Sequence, residues 1–230
     1  MSRYHLRREL WPGTEVGILL LLIIPSFFVG VDPGDRARFG FVDVAVTAMV
    51  RDLGLLALVL YWLWRGNEPL RVVGLEARGF QREIAVGIGL FIPFLLSVGA
   101  IRVGLEALGL PAEEAVPDFL VPRGIGETAL ALVFLVVVAV TEETLFRGYL
   151  IHRFRQITGS TAAAVVVSSF LFSLGHGYQG ATGLVTVGLL GLILAGIYLW
   201  RGSLVAPMVL HFMQNFTGIL LAPALLGTNG

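Results

Sequence analysis

Residues 130–140 restrict the fold of this chain more than any other segment, because all eleven are apolar and two adjacent carboxylates, Glu142 and Glu143, follow almost immediately. A run of this kind predicts a helix that crosses a membrane. An ionised carboxylate inside such a helix costs about 2.5 to 3.5 kcal/mol on insertion scales. The two glutamates therefore need partners elsewhere in the chain, or a function that uses them.

The composition predicts an integral membrane protein. Hydrophobic residues make up 56% of the 230 residues and charged residues only 14%, against about 25% in soluble domains. No stretch between the apolar runs is long enough for a separate soluble domain of ~100 residues, so residues 1–230 are predicted to form a single integral membrane domain. The net charge of zero gives no reason to expect nucleic acid as a partner. The absence of cysteine excludes disulfides and cysteine metal sites.

Seven apolar segments predict an all-α fold, a polytopic transmembrane bundle of about seven to eight membrane helices. Basic residues precede the first segment (Arg3, Arg7 and Arg8), fill residues 65–83 and follow the fourth segment, so the N-terminus is predicted to be cytoplasmic. The first segment lacks a small-residue cleavage pattern and is expected to be a retained helix rather than a signal peptide. Residues 32–35 predict a turn. The segments are 16–31, 41–64, 84–108, 126–143, 161–176, 183–200 and 204–221.

The second apolar segment is interrupted by a charged pair, Arg51 and Asp52. Adjacent residues on a helix do not face each other, so the two side chains can reach different partners. The favoured interpretation is a structural polar spot, or a boundary between a surface helix and a spanning one.

Embedded polar residues recur at helical spacing in the last three-fifths of the chain. Glu143 and Arg147 are four residues apart, with the acid first, which is the favourable order for an ion pair on a helix. Glu142 points about 100° away from Glu143 and has no local counter-charge. The same spacing separates two further pairs, Phe172 from His176 and His211 from Asn215.

These residue types match the chemistry of amide hydrolysis. A carboxylate close to a neutral imidazole can hold and deprotonate a water molecule. An imidazole and a carboxamide can donate hydrogen bonds to a developing oxyanion. Three helices that converge in a bundle would supply both parts from Glu142, His176, His211 and Asn215.

The three spaced pairs resemble the CAAX prenyl endopeptidase and bacteriocin-processing (CPBP, or Abi) family of intramembrane proteases. The resemblance covers roughly residues 128–221, and it implies a membrane-embedded peptidase site with a catalytic core at about 126–221. It implies that Glu142 is the general base and that His176 helps to position the water. His211 and Asn215 would form the oxyanion hole. Glu143 and Arg147 would support the site, with Phe172 as a packing residue that orients His176 or lines the substrate groove.

The resemblance also implies that no catalytic metal or other cofactor is required. Zinc remains an alternative, because two histidines and a glutamate, here His176, His211 and Glu142, are a known ligand set. The sequence lacks a His-Glu-x-x-His motif or any other close pair of ligands, which favours the metal-free interpretation.

The leading functional hypothesis is an endopeptidase in a prokaryotic plasma membrane. Its expected partners are membrane lipid and a membrane-anchored or lipidated peptide or protein, possibly of the prenylated CAAX type. One alternative is a non-catalytic immunity or scaffolding protein of the same fold. Another is a proton-coupled transporter, which the lack of internal repeats or paired broken helices disfavours.

One difficulty concerns the depth of the two key side chains. At 1.5 Å per residue, Glu142 lies about 24 Å from the start of its segment and His176 about 22 Å from the start of the next one, which enters from the opposite side. In a core of ~30 Å the two would be offset by some 15 Å. A helix before His176 that begins in the cytoplasm, well before the membrane, would bring them level, and this is the prediction.

Overall fold

The computed structural model describes residues 3–28, 39–76, 79–110 and 116–226. Every regular element within these ranges is a helix, which confirms the all-α prediction. The predicted turn at residues 32–35 and the side chains of the basic N-terminal flank lie outside what the structure describes.

Nine α-helices are described, and shorter helical turns connect some of them. The α-helices are α1 (Arg3–Phe28), α2 (Phe41–Arg65), α3 (Phe80–Ala107), α4 (Gly124–Glu142), α5 (Ile151–Thr158), α6 (Thr161–Leu174), α7 (Gly180–Arg201), α8 (Val205–Phe216) and α9 (Ala222–Leu226). The 3-10 turns are Leu70–Val73, Asp118–Leu120 and Gly177–Gln179, and the π-helical segments are Glu143–Leu150 and Thr217–Leu221.

Five helical stretches among the described residues are long and apolar enough to cross a membrane. Two further apolar helices, Trp11–Pro25 and Thr161–Leu174, are shorter. They coincide with two of the seven predicted segments, 16–31 and 161–176. The five long stretches are Phe41–Arg65, Phe80–Ala107, Gly124–Thr158, Gly177–Arg201 and Val205–Leu225.

The fourth membrane segment does not end at the paired glutamates. α4, the π-helical segment Glu143–Leu150 and α5 follow one another without a break and form a 35-residue stretch that ends at Thr158. Gly159, with φ +69°, caps this stretch in the left-handed conformation that favours glycine. The next helix, α6, starts directly afterwards, because the Ser160 hydroxyl accepts a hydrogen bond from the Ala163 amide at 3.2 Å.

Helices α2 and α4 run side by side in the same direction. At the start of α2, Phe41 meets Phe134 in the middle of α4 edge to face, with ring centroids 6.3 Å apart. Further along, Trp62 stacks on Tyr149 at 5.9 Å. These two contacts fix the register of α2 against the stretch that carries the glutamates.

The π-helical segment Glu143–Leu150 is buried along its whole length. Such segments widen a helix by one residue per turn and are frequent at functional sites. Close packing against the 3-10 turn Leu70–Val73 depends on Gly148, since a Cβ there would lie 2.7 Å from the Val73 carbonyl oxygen. The same turn is tied to the start of α8, because the Leu204 amide donates to the Gly74 carbonyl at 3.0 Å.

A network of charged side chains holds α1, the loop after α2 and α5 together. Arg153 is buried and donates to Glu15 at 2.7 Å and to Glu68 at 2.6 and 2.9 Å. Tyr149 also donates to Glu15, and His152 lies 2.8 Å from Glu68. The buried guanidinium of Arg153 is therefore paired with two carboxylates, which offset the cost of removing its charge from water.

Glu68 makes part of this network sensitive to pH. Partial burial pushes the pKa of Glu68 upward, but hydrogen bonds from Arg153 and His152 outweigh it and hold the pKa below its ordinary value of 4.5. A carboxyl with a depressed pKa stabilises the folded state above its unfolded pKa, and this stabilisation is lost as the pH falls through the folded pKa.

We therefore expect Glu68→Gln to lower the free energy of unfolding at pH 7 by about 1 kcal/mol, a modest value because Glu68 is partly exposed. The difference from the wild type should shrink below pH 4.5. Thermal unfolding of the detergent-solubilised protein across this pH range measures it. Glu76→Gln, at an exposed position, is the control and should match the wild type at every pH. A Glu68→Gln deficit that stays constant down to pH 3 would contradict the assignment.

Close approach of α3 and α8 depends on a glycine. A Cβ at Gly87 would lie 2.7 Å from the Cβ of Val209 and 3.0 Å from the carbonyl oxygen of Ala206. Two residues further along α3, Gly89 is exposed and has nothing within 4 Å of such a position. Small residues let helix backbones approach in this way inside a membrane.

Gly87→Ala should destabilise the protein by about 1 to 3 kcal/mol through overpacking against α8. Gly89→Ala is the matched control, and it should be neutral or stabilising by up to about 1 kcal/mol because alanine favours helix. Unfolding midpoints of the two variants in the same detergent make the comparison. Equal midpoints would show that α3 and α8 are not in close contact at this position.

Candidate active site

Glu143 lies at the centre of the candidate site. Its carboxylate oxygen Oε1 accepts a hydrogen bond from Arg147 Nη1 at 3.0 Å, one helical turn onward. Both side chains are buried, with 0% and 1% of their surface exposed. The ion pair that the spacing predicts is therefore present. It neutralises a charge that would be costly at this depth.

The same carboxylate oxygen also holds a histidine from another helix. His211, on α8, places Nδ1 2.9 Å from Glu143 Oε1. A carboxylate accepts and cannot donate when ionised, so Nδ1 carries the proton. The other ring nitrogen, Nε2, lies 3.7 Å from Glu142 Oε2. One histidine thus stands between the two adjacent glutamates.

Phe172, on α6, contacts three charged or aromatic groups of this cluster. The Arg147 guanidinium lies over its ring at 4.0 Å, a cation–π contact in a buried position. Its ring centroid is 6.0 Å from that of His211 and 4.8 Å from that of His176. Phe172 therefore joins the two histidines, which agrees with its predicted packing role.

The i,i+4 spacing with Phe172 suggested that His176 lies on the same helix. The structure places His176 just beyond the end of that helix. α6 ends at Leu174, and His176 has φ −108° and ψ 17° in the turn that follows. Its Nδ1 is 3.1 Å from the Phe172 carbonyl oxygen. A carbonyl only accepts, so Nδ1 donates and Nε2 is left as a lone-pair acceptor in the neutral ring.

The helix that continues to Thr158 removes the offset in depth between Glu142 and His176 that was calculated from the sequence. Glu142 is sixteen residues before Thr158, about 24 Å or slightly less through the π-helical segment. His176 is fifteen residues after Thr161, about 22 Å along α6 and the turn that follows. Measured from their shared turn at residues 159–160, the two side chains lie at a similar level.

Asn215 is on the same helix face as His211, one turn further along α8, and it is half-buried. No hydrogen bond links it to Glu142, His176 or His211 in the part of the chain that the structure describes. The structure therefore places Asn215 beside the cluster without joining it.

Two carboxylate oxygens on this stretch are buried without a hydrogen-bond partner among the described residues: Oε2 of Glu142 and Oε2 of Glu143. Buried polar atoms are nearly always paired with protein or ordered water. The Glu142 oxygen is the one that faces His211. It is available to hold a water molecule or a substrate group.

Sequence reasoning missed a third acid, Asp52 of α2. Asp52 is 2% exposed, and its Oδ2 is also buried without a partner in the described chain. It stands eleven residues after Phe41 and ten before Trp62, midway between the two aromatic contacts with the neighbouring stretch. Glu142 stands midway as well, eight residues after Phe134 and seven before Tyr149. The two acids therefore lie at about the same level of the bundle.

Asp52 has one recognisable signal in the sequence, which is its position at the centre of an apolar segment. Ionisable residues within membrane helices lean towards function. The favoured interpretation of Arg51 and Asp52 was a structural polar spot or a helix boundary, with side chains that can reach different partners. The structure shows instead that the two side chains pair with each other at 2.9 Å. Only the parallel register of α2 against α4 brings Asp52 to the level of Glu142.

Space for the buried arginine comes from a glycine of α7. A Cβ at Gly191 would lie 3.3 Å from Arg147 Nη2 and 3.2 Å from Ser169 Cβ. A small residue on α7 therefore leaves room for the buried ion pair, as small residues do where helix backbones approach closely.

The residues named for a zinc site do not fit one in this structure. Among the described residues, no three histidine, aspartate or glutamate side chains are grouped so as to hold a metal ion. His211 and His176 donate from Nδ1 to Glu143 and to the Phe172 carbonyl, so Nε2 is the nitrogen that either ring could offer to a metal ion.

Comparison with known proteins identifies a family that this chain matches. The model of a family described as type II CAAX prenyl endopeptidase Rce1-like matches residues 124–217. An uncharacterized 24.3 kDa protein of Escherichia coli is 30% identical over 169 residues, which cover 72% of this chain and 74% of that protein. No solved structure matches.

The family match begins at the first residue of α4 and ends one residue after α8. It therefore contains all the side chains of the cluster except those of α2. With its apolar helices long enough to span a membrane, the chain is an integral membrane protein that belongs to the Rce1-like type II CAAX prenyl endopeptidase family.

Proposed function

We propose that this protein is an intramembrane endopeptidase that hydrolyses peptide bonds of membrane-associated substrates, with Glu142 as the general base. The observation that carries the proposal is the unpartnered, buried Oε2 of Glu142, 3.7 Å from Nε2 of His211. That separation exceeds a direct hydrogen bond, so Oε2 of Glu142 is left to accept a hydrogen bond from a bound water.

The proposed reaction starts with a water held by Glu142 and by the lone pair of His176 Nε2. Glu142 takes a proton from the water as its oxygen attacks the carbonyl carbon of the scissile bond. The tetrahedral intermediate collapses when Glu142 returns that proton to the amide nitrogen, and the C–N bond breaks. The products are a new carboxylic acid and a free amine.

His211 and Asn215 are proposed to stabilise the oxyanion of the intermediate. His211 can donate from Nε2 only when both ring nitrogens carry protons, because Nδ1 already donates to Glu143. With both nitrogens protonated, His211 would be the third basic group beside Arg51 and Arg147, and the acidic groups are also three: Asp52, Glu142 and Glu143. Asn215, half-buried and without a partner in the cluster, is available to donate its amide N–H to the substrate.

Glu143, Arg147 and Phe172 are proposed to orient the site without touching the reacting atoms. Glu143 fixes the ring of His211 as a carboxylate orients a catalytic histidine in other hydrolases. Arg147 neutralises Glu143, and Phe172 supports Arg147 and both histidines.

The finer assignments are also proposals. The two shorter apolar helices would cross the membrane with the five long ones, which would give seven spans and a cytoplasmic N-terminus in a prokaryotic plasma membrane. The substrate would be a membrane-anchored or lipidated peptide or protein, whether or not its lipid is a prenyl group.

Glu142→Gln should reduce cleavage by about 10²- to 10⁴-fold, the usual contribution of a general base, because the amide cannot accept the proton of the water. The assay measures cleavage of a panel of prenylated and unmodified peptides by protein reconstituted in liposomes. Glu106→Gln, at an exposed position of α3, is the matched control and should retain wild-type activity. Equal rates for wild type and Glu142→Gln, or no cleavage by either across the panel, would favour a non-catalytic membrane protein of the same fold.

The proposed mechanism uses no metal, and the lack of fit of Glu142, His176 and His211 to a zinc site supports this. Activity should therefore survive 1,10-phenanthroline and EDTA at about millimolar concentration, and purified active protein should contain zinc far below one ion per chain. The measurements are residual peptide cleavage and elemental analysis of the same sample. Activity lost with chelator and restored by zinc would establish the zinc-dependent peptidase instead.

A further inference from the structure

Arg51 presents a charged group at a depth where exposure is costly. Its side chain is 42% exposed, although it lies near the centre of the membrane-spanning stretch Phe41–Arg65. Arginine within a membrane helix almost always faces the bundle interior or a water-filled cavity. The exposed part of the guanidinium is therefore accessible to a ligand that would neutralise its charge.

Arg51 adjoins the candidate active site. Arg51 is next to Asp52, which is level with Glu142 between the two aromatic contacts of α2. Asp52 binds the Arg51 guanidinium at 2.9 Å, and α2 packs against the stretch that carries Glu142. A group bound at Arg51 would thus lie beside the proposed water site.

Asp52 holds the guanidinium by one edge only. Its Oδ1 accepts from Nε at 2.9 Å and lies 2.8 Å from Nη2. A guanidinium carries five N–H donors in a planar fork, so this contact leaves Nη1 outside the pair. Asp52 is a positioning residue in this arrangement, because it fixes the plane in which the other edge of the fork can bind.

We propose that Arg51 is a substrate-binding residue that takes a carboxylate group of the peptide close to the scissile bond. The inference rests on the proposed peptidase function and deepens it. A planar carboxylate matches the fork of a guanidinium, and the contact is strong where water is partly excluded. No other group that peptides commonly carry has both the charge and the geometry.

Two sources supply this chemistry, a free C-terminal carboxylate or the side chain of Asp or Glu. Matched peptides in liposomes distinguish them. Each sequence is made with a C-terminal free acid and with a C-terminal amide. A third form keeps the amide and carries Glu in place of Gln on the C-terminal side of the cleaved bond. The readout is the ratio of kcat/KM values between acid-bearing and neutral forms.

The wild type should prefer at least one acid-bearing form over the neutral peptide by about ten-fold or more, as expected for charge-assisted hydrogen bonds. The preferred form identifies the source. The test variant is the double change Arg51→Gln with Asp52→Asn, because removal of Arg51 alone would leave a buried, unpaired aspartate. Its ratio should fall to about one, and Arg51→Lys, which keeps the charge without the fork, should give an intermediate ratio.

Arg71→Gln removes an exposed arginine outside the site and is the matched control, with a ratio like that of the wild type. A wild-type ratio of about one, or a ratio that the double variant does not change, overturns the role of Arg51 and leaves the peptidase assignment standing. Cleavage of no peptide by the wild type overturns the peptidase assignment, and this inference with it.

Discussion

The shared oxygen Oε1 of Glu143 is the interaction on which the rest of the site depends. It binds Arg147 of the same helix at 3.0 Å and His211 of α8 at 2.9 Å. A buried carboxylate with a single cation would be costly, whereas two donors on one oxygen offset much of its desolvation. Because the bond to His211 joins α8 to the π-helical segment, the arrangement that makes the charge tolerable also turns the imidazole towards Glu142.

The backbone around this oxygen is built for close packing. Gly148 brings the buried π-helical segment against the Val73 carbonyl, and Gly191 of α7 leaves room for the Arg147 guanidinium. Phe172 fills the remaining side of the cluster with one ring that contacts Arg147 and both histidines. Apolar and small residues thus hold the charged ones in place, as is expected where lipid offers no hydrogen bonds.

Helix α2 extends the site beyond the segment that the family model matches. Its parallel register against α4 is set by two aromatic contacts, Phe41 with Phe134 and Trp62 with Tyr149. That register places the Arg51–Asp52 pair level with Glu142, and it gives the cluster equal numbers of acidic and basic groups when His211 is protonated. The exposed edge of Arg51 lies on the face of α2 where the proposed substrate carboxylate would bind.

The sequence by itself determined that the chain is all-α and membrane-embedded, because long apolar runs leave no other way to satisfy backbone hydrogen bonds in lipid. It also predicted the pairing of Glu143 with Arg147 and the candidate set Glu142, His176, His211 and Asn215, since helical spacing is a local property. Tertiary structure alone decided which groups meet. The bond from Glu143 to His211 joins residues 68 positions apart, and the level of Asp52 depends on how two helices pack. The fourth segment continues to Thr158 through the buried π-helical segment Glu143–Leu150, and this continuation brings His176 level with Glu142. The sequence did not predict it, because a π-helical segment has no hydrophobic periodicity by which it can be recognised.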